Sequence, residues 1–168
     1  TFINNTARQG GAIFFNNDAD KITINGYFED NEAKYLGGAL CFWAKSLNNI
    51  ISAEFYNNRA NLTKSGGAIF FRNIAENNRF KGIFIGNRAG YGGAIFFSNK
   101  ANNNRFDCDF SFNVANSCGG AMFFYSATDN NNFTGCFVNN SALGEVPVEW
   151  NGNGGAVTFS DVSSNCVF

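Results

Sequence analysis

Gly66-Gly67-Ala68-Ile69-Phe70-Phe71 is the stretch on which the fold turns. It returns unchanged as Gly10-Gly11-Ala12-Ile13-Phe14-Phe15 and as Gly92-Gly93-Ala94-Ile95-Phe96-Phe97. Looser copies are Gly37-Gly38-Ala39-Leu40-Cys41-Phe42, Gly119-Gly120-Ala121-Met122-Phe123-Phe124 and Gly154-Gly155-Ala156-Val157-Thr158-Phe159. The first glycines stand at 10, 37, 66, 92, 119 and 154, so the steps are 27, 29, 26, 27 and 35 residues. A near-constant period of this size is the mark of a solenoid, in which one repeat cannot bury its apolar face alone and stacking makes the core continuous.

Working outward from the glycine pair, a second phrase, F-x-x-N-x-A, recurs at Phe28-Asn31-Ala33, Phe55-Asn58-Ala60, Phe84-Asn87-Ala89, Phe110-Asn113-Ala115 and Phe137-Asn140-Ala142. The first copy is Phe2, Asn5 and Ala7. Upstream of each phenylalanine, columns two residues apart read Ile24/Ile51/Phe80/Phe106/Phe133, then Gly26/Ala53/Gly82/Cys108/Gly135, then the phenylalanine itself. The columns between are mostly polar: Asn25, Ser52, Lys81, Asp107 and Thr134. A period of two with one apolar face is a half-buried strand, and no helical periodicity competes with it. Asparagine and glycine supply the left-handed corners between strands. The expectation is an all-β parallel β-helix of about six coils of 26–29 residues, three short strands each, forming a rod on the order of 30 Å long at ~4.8 Å per coil.

In that rod Asn5, Asn31, Asn58, Asn87, Asn113 and Asn140 lie in register and form a structural ladder of stacked amides. Within the glycine phrase, Ile13/Leu40/Ile69/Ile95/Met122/Val157 and Phe15/Phe42/Phe71/Phe97/Phe124/Phe159 face inward. Alternation then turns Phe14, Phe70, Phe96 and Phe123 outward, in a column interrupted by Cys41 and Thr158. Such a stripe is either covered by a loop or neighbouring domain or left as a contact surface for a partner or glycan. The last, longer step carries about eight extra residues, placing an inserted loop at 143–153 with Pro147 and Trp150, the latter a further contact candidate. The chain opens mid-motif at Thr1-Phe2-Ile3-Asn4-Asn5 and stops at Cys166-Val167-Phe168, which reads as one β-helix segment, 1–168, of something longer.

Composition narrows the function classes. The net charge is −1 with no histidine and no basic block, unlike the positive footprint of a nucleic-acid binder. No apolar run approaches the ~20 residues of a membrane helix. Twenty-one phenylalanines mark a packed chain rather than a disordered one. Cys41, Cys108, Cys118, Cys136 and Cys166 lack metal-ligand spacing and read as scattered small hydrophobes or as cross-coil disulfides. Carboxylates able to serve a polysaccharide-cleaving enzyme are sparse: Asp107 with Asp109, and Glu29, Asp30 and Glu32, all read as solvated charges. No phosphate loop or calcium nonapeptide is present, so no cofactor or metal is expected. Four N-x-S/T sites begin at Asn4, Asn61, Asn132 and Asn139.

The paired phrases Gly66-Gly67-Ala68-Ile69 and Phe84-Ile85-Gly86-Asn87 resemble the repeats of chlamydial polymorphic outer-membrane proteins, and the asparagine-rich version resembles adhesin-like surface proteins of methanogenic archaea. The resemblance runs over essentially all of the chain and implies a right-handed parallel β-helix, secretion and a place at the cell surface. It also implies a role in adhesion or surface scaffolding with no catalytic residues to carry over. The leading expectation is therefore a non-enzymatic extracellular stalk that contacts surface proteins or glycans. The alternatives are a filament or sheath subunit stacking on copies of itself and, more remotely, a polysaccharide-active enzyme segment.

Overall fold

The computed structural model describes residues 1–61, 65–145 and 152–168. Every strand pair in it is parallel and joins residues about one repeat apart. One coil shows the plan: a two-residue strand Ala75–Glu76, a long strand Arg79–Ile85, a corner strand Arg88–Ala89 and a glycine strand Ile95–Phe97. The three expected strands are present, and the two-residue one forms a further short ladder ahead of the long face. Phe2, Phe28, Phe55, Phe84, Phe110 and Phe137 occupy one column, so the chain completes five turns between them and goes most of the way round a sixth.

The core is aromatic and ordered by the coil spacing. Phe28, Phe55, Phe84 and Phe110 stack ring on ring at 4.7–4.9 Å. Phe42, Phe71, Phe97 and Phe124 stack likewise at 4.7–4.8 Å on the glycine face. Phe80, Phe106 and Phe133 form a third stack that meets the second edge-on, with interplanar angles of 78–86°. The rings of one column take the separation that the hydrogen-bonded backbones impose, and edge-to-face contact interlocks neighbouring columns. Small residues in the intervening column, such as Ala53 and Cys108, leave room for these rings.

The two glycines of each pair answer different demands. The first, as at Gly66 (φ 71), adopts a left-handed conformation that folds the backbone onto its own glycine strand. A Cβ on the second, as at Gly67, would land on the carbonyl oxygen of Gly93 one coil on. No side chain fits where successive turns come this close.

Most of the remaining corners turn on left-handed asparagines, Asn48, Asn77, Asn103 and Asn130 before the long strand and Asn4, Asn57 and Asn139 after it, with Lys21, Asp30 and Gly86 at the equivalent positions of other coils. Phe112 departs from this rule, holding φ 57 with its ring 57% exposed, a conformation that costs about 1–2 kcal/mol for a bulky residue. In the first two coils the corner strand is longer, Thr6–Gln9 and Glu32–Leu36, with a bulge between Ala7 and Gln9. This extension carries Arg8, Gln9, Lys34 and Tyr35 to the edge of the glycine face.

Candidate contact surfaces

The polar interior is consumed by the rod itself. In the expected ladder, the side-chain amide of Asn58 donates to Asn87 Oδ1 at 3.0 Å and to Phe28 O at 2.9 Å. The Asn58 backbone N–H also donates to Asn87 Oδ1, at 3.0 Å. The same three bonds recur at Asn31, Asn87 and Asn113, with Asn5 and Asn140 closing the column. A second ladder, not expected from the sequence, runs through Asn49, Asn78, Asn104 and Asn131 at the opposite end of the long strand. Its signal was the doubled asparagine at 48–49, 77–78, 103–104 and 130–131, whose first member turns the corner and whose second points in. Among the described residues no buried side-chain nitrogen or oxygen lacks a partner.

Of the two arrangements expected for the outward column of the glycine strand, three of the four rings take the covered one, which removes Phe70, Phe96 and Phe123 as exposed contact candidates. Phe70, Phe96 and Phe123 point away from the main core, yet they are 3%, 7% and 3% exposed, in a second cluster with Cys41 and Cys118. Leu36, Trp43 and Tyr91 pack over them. Leu36 and Tyr91 each directly precede a left-handed first glycine, Gly37 and Gly92, at the turn into the glycine strand, whereas Trp43 directly follows that strand. Tyr91 lies 5.8 Å from Phe123 and 6.3 Å from Phe96. Only Phe14 of the four candidates stays open, at 41%. Trp150 and most of the inserted loop lie outside the described residues.

Around Phe14 the first three coils assemble a cluster that no single repeat column contains. Trp43, half-buried, has its ring 6.2 Å from Phe14 at a tilt of 59°. The Arg72 guanidinium lies 3.6 Å over the Trp43 ring. On the other side of Phe14, an open depression of about 510 Å³ is lined by Ala7, Arg8, Gln9 and Phe14. Arg8 and Lys34 approach the Tyr35 ring at 5.3 and 5.6 Å. Arg59 is ion-paired with Glu32 at 2.8 Å, whereas Arg8, Lys34 and Arg72 have no carboxylate partner among the described residues.

The other candidates are scattered. Asp107 and Asp109 are exposed, and each carboxylate already accepts a bond from the next coil, from Thr134 Oγ1 at 3.4 Å and from Cys136 N at 2.9 Å. Glu29 lies on the long face, where Tyr27 and Tyr56 sit 5.2 Å apart. Both hydroxyls are held above their ordinary range, by desolvation first and then by Glu29 at Tyr27 and Glu54 at Tyr56. Cys41, Cys108, Cys136 and Cys166 are free thiols. Burial pushes Cys41 up to about 12 against a small opposing pull from Arg72, and raises Cys108 as well. Of the N-x-S/T asparagines, Asn4, Asn132 and Asn139 are exposed, and the third residue of the Asn61 site lies outside the described residues. No group of metal-ligating side chains occurs among the described residues, and no helix there is long and apolar enough to cross a membrane.

Three stretches, residues 1–16, 52–72 and 81–98, match the Chlamydia polymorphic membrane protein repeat. Together they make up about a third of the chain. Each holds an F-x-x-N corner followed by a glycine strand, the half-coil that carries the first ladder and the glycine pair. No curated protein and no solved structure matches the chain. The archaeal half of the resemblance rests on the sequence alone.

Proposed function

We propose that the chain is a non-catalytic rod segment of a surface-displayed, adhesin-like protein. The match to the polymorphic membrane protein repeat carries this reading, because the matched residues are the ones that build the rod. Phe84, Asn87, Gly92 and Gly93 serve the stack, the ladder and the close approach of coils, which leaves the outward positions free to differ from coil to coil. A rod of this kind sets reach, and its side faces make contacts. Both Asp107 and Asp109 bond to the coil above, in keeping with a structural rather than a catalytic use.

The test is immunogold electron microscopy of intact source cells with an antibody raised against this segment. Label on unpermeabilised cells, on thin projections that end in a distinct tip, is the expected result. Label that appears only after permeabilisation overturns the surface reading. Long uniform fibres built of many copies overturn the stalk in favour of a filament subunit.

A further inference from the structure

We propose that the long-strand face of the rod is a pairing surface for a second copy of this chain, the two rods lying side by side, parallel and in register. The proposal concerns a side face of interior coils and does not depend on the surface reading.

The strands Ile50–Tyr56, Arg79–Ile85 and Arg105–Ser111 form the middle of this face, and each lies between two other coils. Charge on the face is divided across the strands rather than along the rod. Arg79, Lys81 and Arg105 stand in the first half of their strands, and Glu54 and Asp109 in the second half. None of these five is in an ion pair among the described residues. Apolar surface accompanies them: Ile50 is 42% exposed, and Tyr56, Ile83 and Ile85 are half-buried. Asp107 departs from the division, and Lys81 stands beside it in register.

This division selects one mode of pairing. Two identical sheets meet face to face about a two-fold axis in the interface, aligned to within about 30° and about 10 Å apart. An axis along the strands gives antiparallel rods and sets basic side against basic side. An axis along the rod reverses the strands, so each basic half lies over an acidic half and the rods run parallel.

With that axis midway along the strands, the first outward position covers the fourth of the second copy, and the second covers the third. Lys81 then lies over Ile83 of the second copy, whose neighbours in register are Glu54 on one side and Asp109 on the other. Ile50 covers Tyr56 of the second copy. Arg79 covers Ile85, with the Tyr56 ring one coil away for a cation–π contact. The symmetry makes each of these contacts twice.

Area sets the strength. A seven-residue strand spans about 23 Å and five coils about 24 Å, so a pair buries about 1,000 Å² in all. Stable complexes begin at about 1,200 Å², so a weak, concentration-dependent dimer is expected.

The experiment is sedimentation equilibrium of the purified chain from micromolar to millimolar concentration. A monomer–dimer equilibrium is expected, weakened about tenfold or more by Lys81→Glu and by Glu54→Lys, each of which sets like charges together. An equimolar mixture of the two variants should recover the parent's association, since both halves of the mixed interface join opposite charges. Both side chains are exposed, and circular dichroism checks folding; Ile50→Ser, expected to weaken the pair likewise, replaces a variant that does not fold. Orientation is read with Asn25→Cys in a Cys136→Ser chain. A short bismaleimide should join the two thiols, because parallel rods hold Asn25 and its copy about 12 Å apart, whereas antiparallel rods set them about three or four coils apart.

A chain that stays monomeric throughout overturns the proposal. So does association that ignores the face substitutions, as end-to-end stacking would. Dimers that depend on the face yet resist the bismaleimide, with the thiol open to a monofunctional maleimide, overturn the parallel arrangement. None of these results bears on surface display, which the microscopy reads independently.

Discussion

Replacing Asn87 by alanine should remove more stability than any exposed substitution in the rod, and should do so directionally. The Asn87 side chain takes part in four hydrogen bonds of 3.0 Å: it donates to Phe55 O and Asn113 Oδ1, and accepts from the backbone and side-chain N–H groups of Asn58. Alanine leaves two buried Asn58 N–H groups without an acceptor. At about 1–3 kcal/mol for each orphaned group, the loss is about 2–6 kcal/mol. Asn5→Ala is the control, because the Asn5 side chain makes one such bond, to Asn31 Oδ1, in a partly exposed position. Its removal orphans no buried donor and should cost about 0.5–1.5 kcal/mol. Urea midpoints compare the two, since a stack of coils need not unfold in one step. Hydrogen exchange gives the sharper reading. The Asn58 amide, one coil before the substitution, should lose protection, whereas the Asn113 amide, bonded to Asn140 Oδ1, should keep it. Equal midpoints for the two variants, or an Asn58 amide that stays protected in Asn87→Ala, would refute the idea that the ladder runs as a one-way chain of donors.

Three further expectations concern the glycine pair and the thiols. Gly67→Ala puts a Cβ on the Gly93 carbonyl and 2.6 Å from Arg88 N, whereas Gly155→Ala meets nothing nearer than Asn140 O at 3.3 Å. The first should lower the urea midpoint by an equivalent of about 2 kcal/mol or more, and the second by less than about 1 kcal/mol. Among the thiols, Cys136 is exposed and should react with a thiol reagent at pH 8 while buried Cys41 and Cys108 wait for unfolding. Above pH 9 the unfolded chain releases the Cys41 proton that the folded chain holds to about 12, so stability should fall as pH rises through that window. Melting temperatures at pH 8 and pH 10.5, for the parent and for Cys41→Ala, isolate the contribution of this thiol; equal shifts in the two proteins would show that it contributes none.

Legibility in the sequence followed one rule. In a parallel coil a side chain meets the residue one repeat away, so a column is readable when the same residue type fills it in every coil. Phe28 through Phe137 and Asn5 through Asn140 are such columns, and their stacking and bonding follow from the period. The second ladder was harder to see because its first rung is Ile22, whose N–H bonds to Asn49, and its last is Cys166, which follows Asn131. The residue before each glycine pair is Gln9, Leu36, Ser65, Tyr91, Cys118 or Asn153, a column with no shared type and hence no period to detect. Its packing over Phe70, Phe96 and Phe123 was invisible for that reason.

The period, the strand phases, the left-handed corners and the inward faces are legible along the chain, because they depend on local conformation and on alternation. Tertiary structure alone decided which outward aromatics are covered and which remain open. It also brought Arg72 over Trp43, residues 29 positions apart in a column that repeats neither of them. Repetition encodes the rod, and the contacts between unlike residues of neighbouring coils exist only once the rod has been wound.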